Sequence, residues 1–295
     1  MAEAGEDVVL VDIWREHVDA INSKGLRMRG LSGERIVRVT ATSDPRAENA
    51  MDLILIFVKS YDTARATRDA LPMASEGAVF LTLQNGLGNV EKIGEVAGRS
   101  RVLGGTTSHG STLIGPGEIY HAGTGPTVIG ELDGAITPRL RRIVEVLDGA
   151  GIETEVSSDI EGAIWSKVLV NVGINTLTAL TGMRNGELLR MPEIRTAMRR
   201  AVEEALEVAA AKGIGIEMDD PVARVYEVAR ATADNISSML QDVQRGRRTE
   251  IDALNGAVVE LGHRLGIDTP VNEALTAAVK GLESVRTRTD RDGSA

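Results

Sequence analysis

Read for apolar and polar positions alone, the first half of the chain repeats one unit, a short apolar run followed by an amphipathic stretch. The runs are residues 8–11, 53–58 and 79–83, and the stretches are residues 15–24, 61–71 and 90–96. Short apolar runs of this kind fit buried strands, and their alternation with amphipathic segments predicts an α/β domain, a parallel sheet covered by helices on both faces. The segment "RVLGGTTSHGSTLIGPGEIYHAGTGPTVIGEL", residues 101–132, is rich in Gly and Thr and reads as strands and turns. A last αβ pair follows: a helix opened by Pro138 and running to Leu147, then the strand-like "IETEVSS".

From Asp159 onward the pattern changes to long helical periods with few strand signals, which sets a boundary near residues 156–160. The expected organisation is a sheet domain over 1–157, an all-helical C-terminal domain over 158–290, and a tail over 291–295. Ser158 followed by Glu161 has the spacing of a capping box, so a helix is expected to start there. The charged end "RTRTDRDGSA" is the one stretch with a disordered composition, and no internal repeat is evident.

Charge and composition narrow the function. With 33 basic against 43 acidic residues the formal charge is -10, which repels nucleic acid and anionic membrane surfaces. The N-terminus lacks a signal-peptide pattern, and no apolar run approaches the ~18 residues of a membrane span, so a cytoplasmic protein is expected. The absence of cysteine removes disulfide and thiolate chemistry, and His17, His109, His121 and His263 lack metal-ligand spacing, so no metal is expected.

The most informative stretch is "SSDIEGAIWSKVLVNVGINTLTALTGMRNGELL". Residues 164–180 are apolar nearly all round a helix, which means burial. Lys167, Asn171 and Asn175 nevertheless recur every four residues, and at ~100° per residue they span only about 80° of the helix surface, with Thr178 among them. The bland alternative is a snorkelling lysine above two amides paired with backbone. Against it, a desolvated lysine must find an anion or lower its pKa, and either outcome makes it a candidate proton donor. The two amides below it suit a carbonyl, carboxylate or hydroxyl, so the stripe reads as one wall of a small-molecule pocket.

A second candidate is "NISSMLQDVQRGRRTEIDALNGAVVELGHRLGI". Here Gly246 interrupts a helical pattern, Thr249 can cap the next helix, and Glu250 falls in its first turn, where the helix dipole favours a carboxylate. Arg245, Arg247 and Arg248 read as a solvated basic loop. In the third, "VKSYDT" with "LQNGLGN", Lys59 and Asn85-Gly86 lie just past parallel strands, where open α/β sheets bind ligands. Asn85-Gly86 is equally a turn needing positive φ. "GLGNVE" has Glu91 where a pyrophosphate loop has its third glycine, so it is not one. His109 and His121 read as structural.

The opening "MAEAGEDVVLVDIWREHV" has the pattern of a helix tail, a glycine break at Gly5, and a strand that ends on Asp12. In a dinucleotide-binding sheet that is the second strand, whose terminal acid receives the ribose.

Taken together, these segments make the chain resemble the ketopantoate reductase (2-dehydropantoate 2-reductase) family from Gly5 to Glu283, on "VKSYDT", "LQNGLGN", "TSHGSTLIGPG", "IWSKVLVNVGINTLTALTG", "NGELL" and above all "SSMLQDVQRGRRTEIDALNG". The resemblance implies a Rossmann-like domain, reduction of a small 2-keto acid to pantoate, Lys167 as general acid, and Glu250 at the reaction centre. It further implies substrate held by Asn171, Asn175 and Ser238, Lys59 and Asn85 on the cofactor side, NADPH as donor, and a homodimer. Two features depart from the family. The chain has no opening strand with its G-x-G-x-x-G loop, and losing that strand should leave the second and fourth strands unpaired between them; the expectation is that the start was placed at Met1, too late, within the first helix. Asp12 stands where the family carries a basic residue, which favours NADH. Two other readings stay open: a D-2-hydroxyacid dehydrogenase of the same family acting on another branched keto acid, and a ligand-binding or dimer-forming module unable to hold the dinucleotide.

Overall fold

The computed structural model describes residues 1–47 and 50–292, and the chain separates into two compact units. The first comprises Met1–Val58, Asp62–Gln84 and Val90–Ile160; the second comprises Lys59–Tyr61, Asn85–Asn89 and Glu161–Ala295.

In chain order the first half carries β1 (Val9–Val11), α1 (Arg15–Lys24), β2 (Leu26–Gly30), β3 (Arg35–Val37), β4 (Thr40–Thr42) and β5 (Met51–Ile56). It continues with α2 (Thr63–Ala70), β6 (Ala74–Thr82), α3 (Asn89–Ala97), β7 (Val102–Thr107), β8 (Gly110–Gly115), β9 (Glu118–Gly123), β10 (Thr127–Glu131), α4 (Pro138–Gly149) and β11 (Thr154–Val156). The main sheet runs β11-β10-β7-β6-β5, parallel except where β10 meets β7.

Alternation along β6 divides the core into two layers: Phe80 packs with Ile54, Ile56, Ile93 and Ala70 on one face, while Val79 and Leu81 pack with Leu140, Ile143 and Leu147 on the other. The α4 residues recur at helical spacing, and their helix starts where Thr137 Oγ1 accepts the Leu140 N–H at 3.2 Å with Pro138 in the first helical position. Helices therefore cover both faces, as the alternation predicts.

Among the described residues β1 ladders only with β4 and β5 only with β6, so a two-stranded pair and the five-stranded sheet are separate. Among the described residues β1 and β5 thus each ladder on one side only, and Val11 and Ile13 are exposed. A further four-stranded sheet, β3-β2-β9-β8, uses residues 26–37, where the apolar pattern predicts no strand. His109 and His121, read as structural, stack with ring centroids 5.6 Å apart, His121 within β9, and His121 Nδ1 lies 3.2 Å from Ser32 Oγ.

The second unit is helical: α5 (Ile160–Thr181), α6 (Pro192–Ala211), α7 (Pro221–Ala231), α8 (Ser238–Gln244), α9 (Asn255–Leu265) and α10 (Pro270–Asp292). Its core is built on α5, whose Trp165, Leu169, Val172 and Leu177 pack with Met198, Val202 and Val225. At Gly173 a Cβ would lie 2.8 Å from Val225 Cγ1, so this glycine sets how closely the helices approach. Helix α5 begins two residues after Ser158 rather than on the expected capping box, with Ser157 Oγ accepting the Asp159 N–H. Among the described residues α5 is the helix long and apolar enough to cross a membrane, against the expectation that no run approaches that length; 61% of its apolar window is buried inside the protein, where it serves as a core helix. Helix α10 runs on through residues 286–292, part of the stretch read as disordered, because a charged composition does not prevent an established helix from continuing. Residues 293–295 lie outside the described residues.

Candidate active site

The second unit gathers charged groups from three separate parts of the chain. Lys59, three residues beyond β5, places its ammonium 2.6 Å from Asp242 Oδ2 and 3.3 Å from Glu250 Oε2. The next backbone N–H, that of Ser60, donates to Glu250 Oε1 at 2.9 Å. Both carboxylate oxygens of Glu250 are thus engaged, and Asp242 and Glu250 are 6% and 8% exposed. Two carboxylates are buried against one ammonium, an arrangement that needs further positive charge nearby.

That charge comes from Lys167, on α5. Burial pulls its ammonium down to a pKa of about 8, and the charge of Glu250 partly opposes the fall. Lys59 differs although it too is desolvated. Burial pushes its pKa down, but Glu250 and Asp242 together outweigh burial and leave it raised. Asp242 is raised by burial, against the pull of Lys59 and Arg247. The site therefore holds one firmly charged lysine and one that can release its proton near neutrality.

Helix α5 orients the stripe as its spacing predicts. Asn171 is half-buried and Asn175 buried, in line with Lys167. Thr178 Oγ1 lies 2.8 Å from the Asn175 carbonyl and 2.6 Å from Ser237 Oγ, which joins this stripe to the start of α8. Ser237 is the cap of α8, its Oγ accepting the Leu240 N–H at 3.1 Å. Ser238 is the first helical residue, exposed and clear of the capping bond.

Glu250 does not sit in the first turn of an α-helix, where its spacing from Thr249 predicts it. It precedes a short 3-10 turn, Ile251–Ala253, whose first N–H, that of Ile251, donates to Thr249 Oγ1 at 3.2 Å, and α9 starts only at Asn255. The Ser60 N–H and Lys59 take the place of the expected helix dipole.

The Asn85-Gly86 turn is fixed by close approach as well as by φ. Gly86 has φ +87°, a Cβ there would lie 2.6 Å from the Ala253 carbonyl oxygen, and the Leu87 N–H donates to that same carbonyl at 2.8 Å. Asn89 Nδ2 donates to the Asn85 carbonyl at 3.0 Å. The turn thereby packs directly against the segment that follows Glu250. Arg248, read as part of a solvated loop, lies over the Tyr61 ring at 4.6 Å and donates to Asp252.

Asp12 belongs to the first unit, at the end of β1, where Oδ1 accepts the Trp14 N–H at 2.8 Å. Asp242 is the site residue that sequence reading missed. Its signal is an acid at i+4 from Ser238, flanked by the buried Met239, Leu240 and Val243, a position that demands a cationic partner.

The family model described as ketopantoate reductase PanE/ApbA matches residues 1–134, and its C-terminal counterpart matches residues 159–283. The 2-dehydropantoate 2-reductase of Halobacterium salinarum is 41% identical over 274 residues, covering 92% of this chain and 90% of that protein. Among solved structures, a PanE/ApbA family ketopantoate reductase from Ralstonia eutropha superposes with a TM-score of 0.90 at 34% identity, covering 97% of this chain and 93% of its own. D-mandelate dehydrogenase with NADH and anilino(oxo)acetate superposes with a TM-score of 0.91 at 25% identity over the same shares.

Proposed function

This chain belongs to the ketopantoate reductase family, and from that premise we propose that it reduces 2-dehydropantoate to pantoate, on the route to pantothenate and coenzyme A, with Lys167 as the proton donor. The observation that carries the reading is the half-buried Lys167 of α5, with a pKa lowered to about 8, on the same helix as the amides of Asn171 and Asn175.

The donor set fits two parts of a nicotinamide dinucleotide. The Asp12 carboxylate, one oxygen of which holds the Trp14 N–H, stands at a strand end and suits a ribose hydroxyl. Lys59 and Asn85 follow β5 and β6 and suit the nicotinamide end. The chain contains no G-x-G-x-x-G segment, and we assign no residue to the pyrophosphate. We take NADPH as the donor, the family expectation, with Asp12 also admitting NADH. When bound, the reduced nicotinamide supplies the hydride.

Asn171, Asn175 and Ser238 hold the keto acid so that its carbonyl oxygen faces Lys167. As the carbonyl carbon gains the hydride, the electron pair of the C=O bond moves onto oxygen, and the Lys167 ammonium stabilises and then protonates it. The keto acid would thereby gain a hydride and a proton, and neutral Lys167 would regain its proton from water. Glu250 supplies the negative charge that keeps Lys167 protonated for the next turnover. We further propose a homodimer, checked by light scattering.

Initial rates with 2-dehydropantoate, 2-ketoisovalerate and benzoylformate, each with NADPH and NADH, test the reading. We expect the highest kcat/KM for 2-dehydropantoate with NADPH. Equal or better turnover of the other acids would instead make the protein a D-2-hydroxyacid dehydrogenase; D-mandelate dehydrogenase is among the structures it resembles.

A further inference from the structure

We propose that Asp242 is a positioning residue for the acid–base chemistry: it holds the Lys59 ammonium away from Glu250, which leaves the Glu250 carboxylate to act on Lys167.

The geometry carries this. Lys59 Nζ lies 2.6 Å from Asp242 Oδ2 and 3.3 Å from Glu250 Oε2, so the ammonium is shared unequally, and Asp242 has the larger share. Asp242 is fixed by its helix. Its backbone carbonyl accepts the Arg247 N–H at 2.8 Å, and the buried Leu240 and Val243 flank it in sequence, so the carboxylate cannot retreat to water. Glu250 is fixed from the other side by the Ser60 N–H at 2.9 Å. With both carboxylates pinned, Lys59 is the mobile member, and which acid it favours depends on Asp242 being charged and present.

The charged groups acting here are Lys59, Asp242, Glu250, Arg247 and Lys167. Without the Asp242 charge, Lys59 moves fully onto Glu250, which then offers less negative potential to Lys167. Burial is the largest influence on Lys167 and Glu250 opposes it, so a neutralised Glu250 lets Lys167 lose its proton at lower pH. Asp242 also lies one helical turn beyond Ser238, at i+4 on α8, so the same ion pair anchors the helix that presents that serine.

The meaning for catalysis rests on Lys167 being the proton donor, but the test does not use turnover. Lysine-selective 13C labelling follows the Lys167 Cε resonance against pH in the full chain, assigned with Lys167→Arg. In Asp242→Asn we expect the midpoint to fall by about 0.5 pH unit or more. In Lys59→Gln it should rise, because Glu250 is released toward Lys167. In the double variant, Asp242→Asn should add less than half of its single-variant shift. An unmoved or raised midpoint in Asp242→Asn overturns the proposal, as does a full additional shift in the double variant, which would mean a direct charge effect. If Asp242→Asn does not fold, Lys59→Gln decides alone: a rise supports the proposal and a fall or no change overturns it. Should the midpoints move as expected while Lys167→Met keeps its turnover, the positioning stands and the proposed proton donor is wrong.

Discussion

At Lys167, burial works against the fold and for the proposed chemistry. Its pKa is about 8 in the folded chain against 10.5 when exposed, so the native state binds fewer protons than the unfolded one between those values. Stability from this group accordingly rises as pH increases from about 8 toward 10.5, and below 8 the buried charge is a constant cost. Lys167→Met removes that cost and the proton donor together. We expect it to stabilise the protein at pH 7 by roughly 2 kcal/mol and to lower kcat about 100-fold or more, read by thermal unfolding and steady-state rates. A variant that is both less stable and fully active would contradict both halves. The lysine was legible in the sequence because three polar residues at four-residue spacing stand out in an apolar helix. Asp242 was not, because the partner that explains it, Lys59, lies 183 residues away and no local pattern links them.

At the scale of elements, legibility followed apolar contrast. Strands β5 and β6 and helices α1 and α4 were readable because their buried faces are apolar. The sheet β3-β2-β9-β8 was not, since β2 is half-buried along its whole length and pairs Arg27 and Arg29 with Glu34 and Glu118 rather than burying an apolar run. The Asn85-Gly86 turn was legible only as one of two alternatives, and the structure adds what sequence could not, the Ala253 carbonyl pressed against Gly86. That contact makes a testable distinction between two glycines of nearly equal φ. Gly5 has φ +93°, and a Cβ added there would meet nothing within 4 Å, so Gly5→Ala should cost only about 1 kcal/mol of backbone strain. Gly86→Ala meets backbone at 2.6 Å, must shift the segment after Glu250, and should cost roughly 3 kcal/mol with a matching fall in kcat/KM. Equal melting temperatures for the two variants would show that the contact at Gly86 is not restrictive.

Across the whole molecule, composition changes once, near residue 158, but the compact units interleave. Two short turns from the first half, Lys59–Tyr61 and Asn85–Asn89, belong with the helices of the second unit. Each follows a strand of the main sheet, β5 or β6, so the same strands that form one unit's core deliver Lys59, Ser60 and Gly86 to the other. This is why the helical sequence alone does not make a complete site. A fragment of residues 159–295 retains α5 to α10 and so the apolar core around Trp165, Leu169 and Met198, and we expect it to give a helical circular dichroism spectrum. It lacks the Lys59 ammonium and the Ser60 N–H, so Asp242 loses the cation bonded to it and Glu250 keeps only the charge of Lys167. Burial, no longer opposed by Lys59, then raises the folded pKa of Asp242 further above its unfolded value, the native state binds more protons, and stability is lost as pH rises through the raised value. The melting temperature of the fragment should therefore climb as pH falls from 7 to 5, and more steeply than that of the full chain, where Lys59 already compensates the pair. A fragment whose melting temperature is flat over that range would show that the two carboxylates do not need the sheet-derived turns, and that the helical half carries its own charge balance.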